Sequence, residues 1–301
     1  MPKLLLLFTV CFFIAACGEA AEDPIPFSEN QTQNQGDADA DGEDPVEFGP
    51  RDHMGPIGGD RPVEAVFPNN YDVEGSYPLL IKLHGLGSNA IQTDAFFYTL
   101  DEAKERGVIT LTPEGTVDAN GNQHWNLFPT GVDDLGYITG LIEEAVEKYA
   151  VDPDQIFLMG LSNGGFMSHL MACERGDLVR AIISFNGSSY LNESDCKAQD
   201  PVEIIHVHAT DDQVIPYNGN SYMPGARVVA ERWADWNQCD PEPVDGPDIN
   251  ITGEVSGDET STEIWQNCTE GGGVQLWTIN GASHVPLPLT DFVELVFDEI
   301  L

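Results

Sequence analysis

The stretch 155–173, QIFLMGLSNGGFMSHLMAC, constrains the fold more than any other part of the chain. Its residues 156–159 are an apolar run of the kind carried by a strand buried on both faces. Gly160, Leu161, Ser162, Asn163 and Gly164 then spell G-x-S-x-G, and residues 166–173 contain no helix breaker. Strand, glycine-flanked serine and helix together make the pattern of a nucleophile elbow. Such a sharp turn pushes the hydroxyl out above the sheet, and the glycines relieve the crowding it creates. The helix that starts there offers free backbone N–H groups and a positive dipole end to a developing negative charge. A plain glycine turn is the competing reading, so the rest of the chain must supply partners for the serine.

Apolar runs alternate with helical patterns over most of the sequence. Strands are expected at 63–67, 78–83, 108–112, 181–185, 203–207 and 274–279, and helices at 90–106, 133–149, 226–236 and 291–300. The helix at 133–149 is the clearest. Ile138, Leu141, Ile142, Ala145, Val146 and Tyr149 share one face, while Glu143, Glu144, Glu147 and Lys148 face water. This alternation predicts an α/β fold with a mostly parallel central sheet and helices on both faces, as one domain over 51–301.

A serine hydroxyl needs a base, and the base needs an acid to hold its tautomer. In a parallel sheet both belong on loops just past the carboxyl ends of strands. Of the seven histidines, His284 stands there, in Gly281-Ala282-Ser283-His284-Val285-Pro286 between the last strand and the last helix. His206 and His208 alternate along a strand. They are read as hydrogen-bonded core and not as an H-x-H metal pair, because no third ligand is evident. His84 precedes a glycine turn and is read as shaping it, and His53, His124 and His169 have no supporting context. The strand at 203–207 runs into Ala209-Thr210-Asp211-Asp212, and position alone does not choose between the two aspartates. The order Ser162, Asp, His284 is the order of the α/β-hydrolases. Two N–H groups should form an oxyanion hole. Asn163 would supply one and Leu86, in His84-Gly85-Leu86-Gly87-Ser88, the other. No metal and no organic cofactor is expected.

The first 17 residues, MPKLLLLFTVCFFIAAC, read as an export signal over 1–16 with Lys3 as its positive end, since the apolar run is short for a membrane span. Ile14-Ala15-Ala16-Cys17 resembles a bacterial lipobox, which implies a lipid on Cys17 and a place at the cell envelope, with Gly18 favouring the outer membrane. Residues 17–50 read as an acidic disordered tether. Asp37, Asp39, Asp41 and Gly42 match the first half of an EF-hand loop, but Phe48 stands where the bidentate acid belongs. The net charge of −39, from 12 Lys and Arg against 51 Asp and Glu, makes nucleic acid a poor partner and a neutral, polymer-derived ester a better one. Without Cys11 and Cys17, Cys173, Cys196, Cys239 and Cys268 remain, an even number with three possible pairings in an exported chain. Nearest-neighbour pairing would close loops stabilising the fold by about 3 kcal/mol each.

The chain resembles the polyhydroxybutyrate depolymerase and feruloyl esterase group of α/β-hydrolases, within carbohydrate esterase family one. The likeness lies in PLLIKLHGLG, HWN at 124–126, VDDLGYI at 132–138, YAVDPDQIFLMGLSNGG, HATDDQVIPY at 208–217, WNQC at 236–239 and the tryptophan strand before GASH. Matching H-G-T-x-D-x-x-V-P-Y onto 208–217 implies Asp212 as the acid. It also implies the pairs Cys173–Cys196 and Cys239–Cys268. Ala209 departs from the usual glycine, and Val285 and Leu287 replace the tryptophan and glycine that usually follow the catalytic histidine. The acyl pocket is therefore expected to differ. Trp125 and His84 are expected on the substrate side, and Trp277 in the core. The resemblance implies a serine esterase acting on feruloyl or acetyl polysaccharide esters or on polyhydroxyalkanoate-type polyesters. A serine peptidase on the same fold and a surface binding module without chemistry are the alternatives.

Overall fold

The computed structural model describes residues 55–301, apart from 197 and 199. The export signal, Cys17, the acidic tether, the half EF-hand pattern and His53 lie outside the described residues. Ten strands and six helices follow in the order β1 (Tyr77–Leu83), α1 (Ala90–Phe97), α2 (Thr99–Arg106), β2 (Ile109–Leu111), β3 (Thr116–Val117), β4 (Gln123–His124), α3 (Asp134–Lys148), β5 (Val151–Leu161), α4 (Asn163–Glu174), β6 (Ala181–Phe185), β7 (Glu203–Ala209), α5 (Ala226–Trp236), β8 (Val244–Asp245), β9 (Thr260–Trp265), β10 (Val274–Ile279) and α6 (Thr290–Ile300). Eight strands form one sheet in the order β2-β1-β5-β6-β7-β10-β9-β8. It is parallel from β2 through β10, and β9 and β8 add an antiparallel edge. This is the α/β-hydrolase architecture.

The central strands are apolar on both faces because both are covered. Leu79, Ile81 and Leu83 of β1, with Ile156 and Leu158 of β5, meet Leu141, Met167 and Trp233 from α3, α4 and α5 in one core. Leu80, Phe157 and Met159 point the other way, into a core holding Phe96, Phe97, Phe292 and Phe297. Each such side chain, fully buried, stabilises the fold by about 1.5–3 kcal/mol. Lys82 of β1 is also fully buried and is held by Asp94 of α1 at 2.5 Å.

Three expectations need correcting. The helix expected at 90–106 is two helices, broken at Tyr98, which takes φ +53° and caps α1 through its N–H on Asp94 O. The break lets Phe96 and Phe97 face the core while Tyr98 stays 57% exposed. The strand expected at 63–67 is reduced to isolated bridges, Ile57 with Val63 and Val66 with Thr110. Strand β9, TSTEIW, was not expected, because a partly buried strand rich in polar residues lacks the continuous apolar run of its buried neighbours. The disulfides join Cys173 to Cys196 and Cys239 to Cys268.

Candidate active site

Ser162 stands between β5 and α4 with φ +54° and ψ −116°, a conformation a non-glycine residue adopts only under constraint. The constraint is visible. Its N–H donates to Phe185 O at 2.8 Å and its carbonyl accepts from Phe166 N–H at 3.0 Å. The helix can come this close to the strands only because the flanking residues lack side chains. A Cβ on Gly160 would lie 2.2 Å from Gly164 C, and one on Gly164 would lie 2.2 Å from Leu83 O.

His284, on the loop between β10 and α6, reaches back to this serine. Its Nε2 lies 2.9 Å from Ser162 Oγ and its Nδ1 lies 2.6 Å from Asp212 Oδ2. Asp212 follows β7, and its Oδ1 accepts from the Val214 and Ile215 N–H groups at 2.8 and 2.9 Å. Burial opposes ionisation of Asp212. The hydrogen bonds from His284 and the two backbone N–H groups outweigh it and hold the carboxyl below its ordinary range. With Asp212 as acceptor only, His284 carries its proton on Nδ1, which leaves Nε2 free to accept from the serine. Ser162, His284 and Asp212 therefore meet, while Asp211 lies apart from the contact.

Asn163 follows the serine directly, and Leu86 follows Gly85 in the turn after β1. Neither backbone N–H has an acceptor among the described residues. Gly85, just before Leu86, lies so near that a Cβ there would be 3.6 Å from Ser162 Cβ. The Asn163 side chain turns away and makes a reciprocal pair with the Trp125 backbone, at 2.6 and 3.1 Å.

Trp125 and His84 do not offer surface to a substrate. Trp125 is 1% exposed, with its indole N–H on His84 O at 3.1 Å. His84 is fully buried, donates from Nδ1 to Gly85 O at 2.8 Å and accepts at Nε2 from Gly115 N–H at 2.9 Å. Burial pushes its pKa down. Both nitrogens are occupied, so His84 shapes the glycine turn and Trp125 supports it. Trp277 is core, with its N–H on Gln275 at 2.8 Å.

Other groups also hold the site. Asn186, fully buried at φ +48° after β6, donates to His284 O at 2.7 Å and accepts from Ala209 N–H at 2.7 Å. It ties the loop of the base to the strand that leads to the acid. Glu254 binds the N–H and hydroxyl of Ser283 at 3.2 and 2.9 Å. Buried Asp134 accepts from Arg61 at 2.6 Å and from Asn126 N–H at 2.7 Å, fixing the segment that carries Trp125. His169, His206 and His208 line up beneath the acid, hydrogen-bonded and buried. Two apolar cavities are found among the described residues. One of about 430 Å³ lies beside Leu161, Val285, Leu287, Phe96 and Tyr98, and one of about 360 Å³ lies beside Phe166, Leu170, Leu127, Phe128 and Tyr190.

The chain is similar to known proteins. The probable feruloyl esterase C of Aspergillus niger is 28% identical over 192 residues, 62% of this chain and 65% of that protein. Feruloyl esterase B of Piromyces equi is 30% identical over 239 residues, 74% of this chain and 42% of that protein. The chain thus spans less than two thirds of the length of either relative. The acetyl xylan esterase from Aspergillus awamori superposes with a TM-score of 0.61 at 15% identity, covering 80% of this chain and 95% of that one, a likeness of fold. The sequence profile described as phospholipase/carboxylesterase matches residues 74–224, half of the chain. With the parallel sheet and the serine turn between β5 and α4, this match shows that the chain belongs to the phospholipase/carboxylesterase family of α/β-hydrolases.

Proposed function

We propose that the protein is a serine carboxylic-ester hydrolase. The observation that carries this is the unbroken contact from Ser162 Oγ through His284 to Asp212, at 2.9 and 2.6 Å, on a serine held at positive φ. Ser162 Oγ attacks the ester carbonyl while His284 Nε2 takes its proton. Asp212 keeps the imidazole in the tautomer that can do this and stabilises the imidazolium that results. The N–H groups of Asn163 and Leu86 receive the tetrahedral oxyanion. His284 then gives its proton to the leaving alcohol, and water releases the acid from Ser162 by the same route.

The names of the relatives favour feruloyl or acetyl esters of a plant polysaccharide over polyhydroxyalkanoates, whose support is the motif resemblance alone. The cavity lined by Leu161 and Val285, the chain neighbours of Ser162 and His284, is apolar and large enough for an aromatic acyl group. The protein works outside the cytoplasm, anchored by a lipid on Cys17, a reading supported by the leader sequence and by the two disulfides.

A fluorophosphonate probe with a panel of p-nitrophenyl, feruloyl and hydroxybutyrate esters tests the reading. The protein should be labelled and should hydrolyse at least one ester, and Ser162→Ala should lose both properties. Labelling that survives Ser162→Ala, or turnover of short peptides but not esters, would overturn it.

A further inference from the structure

We infer that His169, His206 and His208 form a proton-ordered chain that positions Asp212, and that they act on the reaction without touching the substrate. The inference rests on the serine-esterase reading above. Trp233 Nε1 of α5 donates to His169 Nδ1 of α4 at 3.0 Å. His169 Nε2 lies 3.2 Å from His206 Nδ1, and His206 Nε2 lies 3.4 Å from His208 Nδ1. His208 Nε2 lies 2.8 Å from Ile215 O. The two ends set the direction, since an indole N–H can only donate and a carbonyl can only accept. One arrangement of neutral rings satisfies every contact. In it, each histidine accepts at Nδ1 and donates from Nε2.

This order excludes an added proton. Protonating any Nδ1 would set one N–H against another, as at Trp233 and His169. Burial acts in the same direction on all three rings and pushes His169 down to about 3. Three polar rings in a core are costly unless each nitrogen is bonded, and here each one is.

The chain ends on the loop that carries the acid. Ile215, whose carbonyl receives the last proton, also donates its N–H to Asp212 Oδ1 at 2.9 Å. His208 Nε2 lies 3.7 Å from Asp212 Oδ2, the same oxygen that faces His284. A cationic His208 would compete with His284 for that oxygen. A neutral His208, with its proton committed to Ile215 O, leaves it to His284. Among the described residues, His208 is also faced by His206, by His284 and by Tyr217, whose ring packs edge-on at 5.8 Å. His206 is faced by His169 and His208, and His169 by His206 and the Trp233 indole.

Two measurements test this. Nitrogen-15 NMR of the intact protein should show all three rings neutral and protonated on Nε2 from about pH 5 to pH 9. A ring protonated on Nδ1, or charged within that range, overturns the chain. The second measurement compares His208→Leu with His208→Gln, whose amide N–H can still reach Ile215 O. His208→Leu should lower kcat by about tenfold to a hundredfold with KM little changed, as a misplaced catalytic group does. His208→Gln should recover most of that loss at a similar melting temperature. Equal losses in the two variants, in step with the folded fraction, would mean packing alone and would overturn the positioning role. If His208→Leu does not fold, the NMR result still decides. An unlabelled, inactive wild type would instead fail the esterase reading, and the tautomer measurement separates the two failures.

Discussion

At the scale of single residues, the site is a set of short distances that few substitutions can preserve. Asp212→Asn keeps the shape but offers an N–H to His284 Nδ1, which forces the proton onto Nε2 and blocks acceptance from Ser162. A fall in kcat of about 10⁴-fold is expected in steady-state assays with a p-nitrophenyl ester. Asn186→Ala removes the brace between His284 O and Ala209 N–H. It should cost about tenfold to a hundredfold in kcat with KM nearly unchanged, because the acid and base lose their common tie and the substrate cavities do not. A proportional rise in KM would place Asn186 elsewhere in the reaction. Ser162 and His284 were legible because each follows a strand inside a recognisable turn, whereas the choice of Asp212 over Asp211 came from the family resemblance. Asn186 was not, since nothing in Phe185-Asn186-Gly187 announces a buried side chain at φ +48°. Trp125 was expected on the substrate side as aromatic surface where the family's usual tryptophan is replaced, and His84 for its place at the glycine turn. Burial and hydrogen bonds that the sequence does not display make them supports.

At the scale of elements, the two interior histidines of β7 affect stability as well as geometry. Together with His169 of α4, they are neutral in the fold, whereas in the unfolded chain each takes a proton below about pH 6.5. Their folded pKa values are depressed, so the stability they confer is whole above about pH 6.5 and is lost as pH falls toward the folded values. The loss can reach about 1.4 kcal/mol per pH unit for each ring. Urea unfolding between about pH 7.5 and pH 5 should show this slope, and a His206→Leu variant should show a shallower one. The disulfide Cys239–Cys268 ties the end of α5 to the turn between β9 and β10. Replacing both cysteines by alanine should cost about 2–5 kcal/mol, read from the shift in the urea midpoint. Helix α3 was legible from its stripe of Ile138, Leu141, Ile142 and Ala145, and Asp133 caps it by accepting from Gly136 N–H at 2.8 Å. The break at Tyr98 was not, because its cause is the packing of Phe96 and Phe97 against Phe185 and Phe292.

At the scale of the whole molecule, 51 acids against 12 Lys and Arg leave most carboxylates without a cationic partner. Self-repulsion of this size opposes the folded state, and salt should relieve it. Raising NaCl from about 0.05 M to about 1 M, where the Debye length shrinks to about 3 Å, should raise Tm in a thermal melt. A Tm that stays flat or falls would show that the charges are already compensated in the fold. The sequence by itself determined the α/β alternation, the parallel sheet, the serine turn and the strand-end loops that bear the histidine and the aspartate. Those features depend on local periodicity and turn chemistry, which neighbouring residues encode. Only the tertiary structure decided which histidines are buried in a hydrogen-bonded chain, where an asparagine braces two loops, and which apolar residues line the cavity at Leu161 and Val285. Those outcomes depend on contacts between residues tens of positions apart, and burial, unlike periodicity, is a property of the assembled layers.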